Sequence, residues 1–298
     1  MKDNIRVLII GASGRVGKEI QFFLKHKSNY ETFGTCYNSK IDDLIYLDMT
    51  NQILVEKIFK KIKPSIVIHA AGMIHPLQCE ENHELAWNTN VSGTKNIVNL
   101  CKDYNSKLIY LSSDYVFDGL DNPYDELHET NPLNFYGKTK TESEKLISEL
   151  NNFLIVRTAW VNDFDENSKS FVMQVVNSLK NNKIFYAPSD QYGHPTLSIN
   201  LAEIVVELLD KNYNGVFNVT GLTYIDRFHF AKKIAKTFSL NPNLIQKTST
   251  KELNQSITRP LRLNLNLEKI KSHTSTKILT LDEQLDIMKN QSNQSFKH

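Results

Sequence analysis

The 298-residue sequence predicts an α/β fold, a doubly wound parallel sheet followed by a smaller C-terminal lobe. Two observations carry the prediction. Short apolar runs alternate with amphipathic helical patterns through the first half of the chain, as strand–helix–strand crossovers require. One of those runs, Leu108-Ile109-Tyr110-Leu111, ends abruptly in Ser112-Ser113-Asp114. Buried parallel strands behave this way where they deliver polar side chains to a ligand-binding sheet edge.

Each element follows from its own pattern. Residues 5–10 are an apolar run broken by Gly11-Ala12-Ser13-Gly14-Arg15-Val16-Gly17, and a helix follows with Val16, Ile20, Phe23 and Leu24 on one face. Residues 31–36 and 44–47 read as strands. Residues 51–61 read as a helix burying Ile53, Leu54, Ile58 and Phe59, ended by Pro64. A strand over 65–69 closes on Ala70-Ala71-Gly72, and one long helical region is expected from about 80 to 103. Strand 107–111, a polar loop to about 133 and a helix from Tyr136 to about Leu150 come next, then strand 153–158. Beyond it, helices are expected over 170–179, 197–210, 227–238 and 281–289, and strands over 183–187 and 215–220. The polar tail 290–298 is expected to fray. Residues 1–160, with a return of about 186–222, should form the first lobe, and 161–298 mainly the second.

Composition excludes several classes. A net charge of +2 with nearly balanced acids and bases argues against a dedicated nucleic-acid binder. No apolar run reaches the ~20 residues of a membrane span, and the first strand stands where a signal peptide would be. Cys36, Cys79 and Cys101 are an odd set without metal-ligand spacing, so no metal and a reducing, cytoplasmic setting are expected.

Gly11, Gly14 and Gly17 give G-x-x-G-x-x-G between a strand and a helix, the context of a dinucleotide site. Glycines there allow main-chain N–H groups to approach a pyrophosphate. With 11 glycines in the chain, composition alone would produce this spacing roughly 0.015 times. The second strand ends Cys36-Tyr37-Asn38-Ser39-Lys40, with no carboxylate for a ribose 2′-hydroxyl. That polar and basic end, with Arg15 assisting, favours the 2′-phosphate of NADP(H), with NAD(H) as the alternative. Asp48 and Met49 end the third strand, where they either hold adenine or, for Met49, fill core.

Tyr136 and Lys140 stand four apart on one helix face, downstream of Ser113. A Y-x-x-x-K pair is uninformative by itself, since 12 tyrosines and 29 lysines predict about 1.2 by chance; its place in the chain is what counts. A serine, a tyrosine and a lysine converging there can move a proton on and off a carbonyl or alcohol oxygen. Free tyrosine titrates near 10, so Lys140 is expected to lower the phenol toward a useful range.

These motifs, together with Ser112-Ser113-Asp114-Tyr115-Val116-Phe117-Asp118-Gly119, Arg157-Thr158-Ala159-Trp160 and Asp190-Gln191-Tyr192-Gly193-His194-Pro195-Thr196, make the chain resemble an extended short-chain dehydrogenase/reductase. More narrowly, over about residues 5–260 it resembles the dTDP-4-dehydrorhamnose reductase family. The resemblance implies a Rossmann-type lobe for NADPH and a smaller C-terminal substrate-binding lobe. It also implies reduction of the C4 ketone of a nucleoside-diphosphate-4-keto-6-deoxysugar. By motif, Ser113, Tyr136 and Lys140 would be the catalytic trio. Asp114, Tyr115 and Trp160 would lie against the sugar, with His75 in a substrate-facing segment. Gly11, Ser13, Gly14, Arg15, Val16, Gly17, Asn38, Ser39, Asp48, Met49, Ala70, Ala71, Gly72 and Asn90 would serve the cofactor. The segment from His69 to His75 departs from the family's usual Asn-Ala-Ala-Ala-Tyr-Thr. Arg259-Pro260-Leu261-Arg262 offers two guanidiniums to a diphosphate or to solvent. A related epimerase or dehydratase, or a regulatory subunit like that of methionine adenosyltransferase, are the competing readings. The surface helices are compatible with a homodimer.

Overall fold

The computed structural model describes residues 4–37, 41–120, 123–165, 168–254 and 256–295. Its centre is a seven-stranded, all-parallel sheet. The strands are β1 (Ile5–Ile10), β2 (Tyr30–Cys36), β3 (Ile45–Tyr46), β4 (Ile66–His69), β5 (Lys107–Ser113), β6 (Phe153–Thr158) and the edge strand Gly215–Asn218. From one edge the order is Gly215–Asn218, β6, β5, β4, β1, β2, β3. The chain therefore builds outward from β1 in one direction, then returns and builds from β4 in the other. That reversal opens a crevice at the strand C-termini between β1 and β4, where open α/β sheets bind their ligands.

Both faces of the sheet are covered, which is why its strands read as continuous apolar runs. Successive residues of β1 go to opposite sides. Val7 and Ile9 pack with Ile20 and Leu24 of the helix Arg15–Lys25 and with Leu201 and Val205 of the helix Ser198–Asp210. Leu8 and Ile10 pack with Val55 and Phe59 of the helix Gln52–Ile62, and with Ile97 and Ile147. A third core lies outside the sheet. There the helices Phe171–Lys180, Arg227–Thr237 and Leu281–Ser295 close around Val176, Phe230, Ile234 and Leu285.

Four details differ from the sequence expectation. Ile53 is 78% exposed, and Val55 and Ile62 take the buried face with Ile58 and Phe59. The helical phase starts at the capping Asn51, whose side chain accepts from Leu54 N, and this turns Ile53 to solvent. The region expected as one long helix is broken at Asn82 into Pro76–Glu81 and His83–Trp87, then passes through a π-helical turn, Asn88–Ser92, into Gly93–Asp103. The last helix continues to Ser295 instead of fraying at 290. Residues 263–278, for which no element was assigned above, return to the first core through Leu263, Leu265, Leu267, Ile270 and Ile278. No helix among the described residues is long and apolar enough to cross a membrane.

The two faces of Gln52–Ile62 give a direct test. Phe59→Ala should lower unfolding free energy by about 3–5 kcal/mol, whereas Ile53→Ala should stay within about 0.5 kcal/mol. Urea denaturation of both variants checks the assigned face, and similar losses would contradict it.

Candidate active site

The crevice between β1 and β4 is built for close backbone approach. Gly11 has a φ of +87°, and a Cβ there would lie 2.8 Å from Ala71 N. A Cβ on Gly17 would come within 2.2 Å of the Gly11 carbonyl oxygen, so helix and loop touch main chain to main chain. Gly14 caps the helix Arg15–Lys25 without a side-chain bond, unlike Asn51, Asn134, Ser170 and Asp226 at other helix starts. Its first N–H groups are thus left without a side-chain acceptor, at a positive dipole end suited to a phosphate. Ser13 is exposed on this loop, Val16 is half-buried behind it, and Ala70 and Ala71 close the opposite side. The cradle fits a dinucleotide.

The other cofactor candidates are distributed around this loop. Asp48 accepts from the backbone and hydroxyl of Thr50 at 2.9 and 2.7 Å. Met49 is buried against Gly93, whose Cβ would lie 2.8 Å from the Met49 side chain. Asn38 and Ser39, with Lys40, lie outside the described residues. Arg15 is engaged by the second lobe: it pairs with Asp163 at 3.1 Å and donates to Val161 O and Ser168 Oγ.

The catalytic candidates meet where β5 ends. Ser113 Oγ donates to Asp114 Oδ1 at 3.1 Å and accepts from Tyr115 N at 3.2 Å. The helix Phe135–Ser148 begins at Asn134, which caps Gly137 N at 3.0 Å. Gly137 is required because any Cβ there would sit 2.1 Å from the Tyr115 carbonyl oxygen. This contact sets the helix directly against the residues after Ser113, and the i, i+4, i+8 spacing aligns Tyr136, Lys140 and Glu144 on the buried face. Behind them Asn90, in the π-helical turn, accepts from Met73 N at 2.7 Å and donates to Met73 O and Thr139 Oγ1. Its own carbonyl accepts from Thr94 and Ser143. A widened turn frees that carbonyl for side-chain donors, a recurring use of π-bulges near functional sites.

Electrostatics here are dominated by burial. The phenol of Tyr136 is pushed far above its ordinary value by desolvation, and the Ser113 hydroxyl beside it only partly opposes this. Lys140 is drawn down to about 7, again by burial, with Glu144 pulling upward. Its ammonium donates to Leu111 O at 2.7 Å and lies 4.1 Å from the centre of the Tyr110 ring. The expectation that Lys140 would lower Tyr136 is therefore corrected: the amine is turned to the β5 backbone and the phenol stays protonated. Burial raises Asp114 to about 7 against the pull of Ser113 and Arg227. Asp114 Oδ2 is buried with no hydrogen-bond partner.

The second lobe supplies the opposite wall. Trp160 adopts φ +40°, a costly conformation for a bulky residue and one that concentrates at functional sites. Gly193 makes room for it, since a Cβ there would be 2.6 Å from the indole. One indole face carries the Arg227 guanidinium at 3.6 Å. Tyr115 packs edge-on to Tyr136 at 5.7 Å, and its hydroxyl accepts from Arg259 at 2.8 Å. His75 is on the rim, its imidazole held low by burial with Lys169 and Arg15 acting the same way. His194 is structural: it is buried, with one ring nitrogen on Gly221 O and the other on the Asn264 side chain. Asp190 ties down Thr250 through three bonds.

Sequence reasoning missed two residues. Glu144 forms a buried 2.8 Å ion pair with Arg157 at the end of β6, and its spacing from Tyr136 was the available signal. Arg227 had no signal, because only the fold brings it to Trp160.

Comparison with known proteins follows the same lines. The model of the RmlD substrate binding domain family matches residues 5–293. A dTDP-4-dehydrorhamnose reductase of Aggregatibacter actinomycetemcomitans is 30% identical over 89% of this chain and 92% of its own length. The methionine adenosyltransferase 2 subunit beta of Xenopus tropicalis is 29% identical over 79% of this chain and 72% of its own. The structure superposes on a dTDP-4-dehydrorhamnose reductase from Bacillus anthracis in complex with NADP, with TM-score 0.86 and 28% identity, covering 97% of this chain and 99% of that one.

His69, at the end of β4, offers a pH test of the buried site. It is 1% exposed, bonds Thr94 Oγ1 at 3.0 Å, and is held down to about 3 by burial, with Lys140 adding to the effect. Between that value and 6.5 the unfolded chain binds the extra proton, so native stability falls as pH drops through this window. Asp114, raised to about 7 from 3.8, binds its proton in the native state first and acts in the opposite sense. His69→Asn removes only the first effect. The urea midpoint of wild type relative to His69→Asn should fall steadily below pH ~6.5; a pH-independent difference would contradict the neutral, buried imidazole.

Proposed function

Because the chain belongs to the RmlD substrate binding domain family, that of the dTDP-4-dehydrorhamnose reductases, we propose that it is an NADPH-dependent reductase of a nucleoside-diphosphate-4-keto-6-deoxysugar. Its product would feed deoxysugar and surface polysaccharide synthesis. The observation that carries the reading is the convergence of Ser113, Tyr136 and Lys140 at the end of β5, beside a glycine cradle whose helix start is uncapped. NADPH held along Gly11, Gly14 and Gly17 would supply a hydride to the C4 carbon. Ser113 holds the ketone oxygen, and Tyr136 donates its phenolic proton to that oxygen, completing the alcohol. Burial keeps the phenol protonated through neutral pH, the state a donor needs. Lys140 would bond the nicotinamide ribose, and the unpartnered Oδ2 of Asp114 would accept a sugar hydroxyl. A reducing, cytoplasmic setting for the buried Cys79 and Cys101 thiols belongs to this reading.

Incubation with NADPH and a panel of dTDP-, GDP- and UDP-4-keto-6-deoxy sugars, followed at the nicotinamide band, tests the proposal. Oxidation with one member is expected. Silence across the panel from a protein that binds NADPH would overturn it and leave the partner-binding reading. Tyr136→Phe should cut kcat by about 100-fold or more while leaving the NADPH Kd nearly unchanged. Near wild-type turnover in that variant would remove Tyr136 from the proton-donor role.

A further inference from the structure

Arg227 opens the helix Arg227–Thr237 in the second lobe. Its guanidinium carbon lies 3.6 Å from the centre of the Trp160 ring and 4.5 Å from that of Phe171, a cation–π contact with each. The residue is half-buried. Among the described residues no carboxylate lies within ion-pair distance of this guanidinium and no acceptor bonds it; it packs on the aromatic rings of Trp160 and Phe171. The charged and titratable groups acting on it are Tyr115, Arg259 and Asp114. Tyr115 packs on Tyr136, Arg259 bonds the Tyr115 hydroxyl, and Asp114 follows Ser113. All therefore belong to the cleft that holds the reacting centre.

Asp114 and Arg227 act on each other electrostatically without forming an ion pair. Asp114 Oδ2 is buried and unpartnered, and Arg227 has donors with no acceptor. The guanidinium nitrogens are not enclosed by the described residues, so they are open to a ligand that supplies the missing acceptor. A guanidinium held against aromatic rings keeps its N–H donors for paired bonds with an oxyanion. We propose that Arg227 is the receptor for the substrate's diphosphate, donating to a phosphoryl oxygen while Trp160 holds the guanidinium through a cation–π contact. The inference rests on the nucleotide-sugar reading above, because a 4-keto-6-deoxy sugar has no other anionic group. It goes beyond the Arg259–Arg262 segment suggested by sequence. There Arg259 is bonded to Tyr115, and Arg262 lies 5.4 Å from the centre of the Tyr192 ring.

The test measures binding, not turnover, so it fails separately from the reductase reading. Calorimetry would titrate dTDP, UDP, dTMP and thymidine into NADPH-loaded wild type, Arg227→Met and Arg227→Lys. The better-bound diphosphate should weaken about 10- to 100-fold in Arg227→Met, with thymidine and NADPH affinities unchanged. Arg227→Lys should fall between, since it keeps the charge but loses the fork, and it serves if the methionine variant does not fold. Diphosphate affinity within about twofold of wild type in both variants would overturn the inference, as would wild type that binds neither dTDP nor UDP. Diphosphate binding that depends on Arg227, in a chain that reduces no sugar, would uphold it while the reductase reading falls.

Discussion

The buried ion pair between Glu144 and Arg157 is the constraint on which the rest of the site depends. Its side chains are 8% and 6% exposed, and the carboxylate also accepts from Ser112, the neighbour of Ser113. Arg157 donates further to Glu126 O and lies 5.0 Å from the centre of the Phe117 ring. Removing one partner of such a pair leaves a desolvated charge and costs about 3–5 kcal/mol. The helix carrying Tyr136 and Lys140 therefore has one seat against the ends of β5 and β6. The contact of Gly137 with the Tyr115 carbonyl fixes the other end of that helix. The position of Tyr136 is thus set by packing within the chain itself.

The same burial that seats the helix decides its protonation. A pairwise view of the trio, with an ammonium beside a phenol, leads to a lowered tyrosine. The structure instead turns Lys140 to the Leu111 carbonyl and leaves desolvation as the largest influence on both groups. The outcome is a phenol and an amine close to neutrality, an arrangement suited to giving a proton to a newly formed alkoxide. His69 belongs to the same apolar layer, tilted against Tyr110 with ring centres 5.2 Å apart and kept neutral.

Much of this was legible in the sequence because the relevant signals are local. The alternation of Val7, Leu8, Ile9 and Ile10 on a strand, the glycine spacing after it, and the polar end of β5 each specify their own geometry. So does the four-residue step from Tyr136 to Lys140. What was not legible depends on contacts between distant segments. The π-helical turn is tied to distant segments by the bonds of Asn90 to Met73 and Thr139. The stacking of Arg227 on Trp160 joins residues 67 positions apart, and the return of Leu263–Ile278 to the first core is decided by the space left beside the helix Ser198–Asp210. Ile53 was misplaced for a smaller reason: the cap at Asn51 sets the helical phase, and periodicity alone left that phase open by a residue.

The central claim is that this site delivers hydride to a sugar C4 carbon and a proton to its oxygen. The most direct test is isotopic. Reaction of the dTDP-4-keto-6-deoxy sugar with NADPH carrying deuterium at the transferred nicotinamide position, in ordinary water, should give a product with one deuterium on C4. A product with hydrogen at C4, or deuterium at any other carbon, would contradict the account.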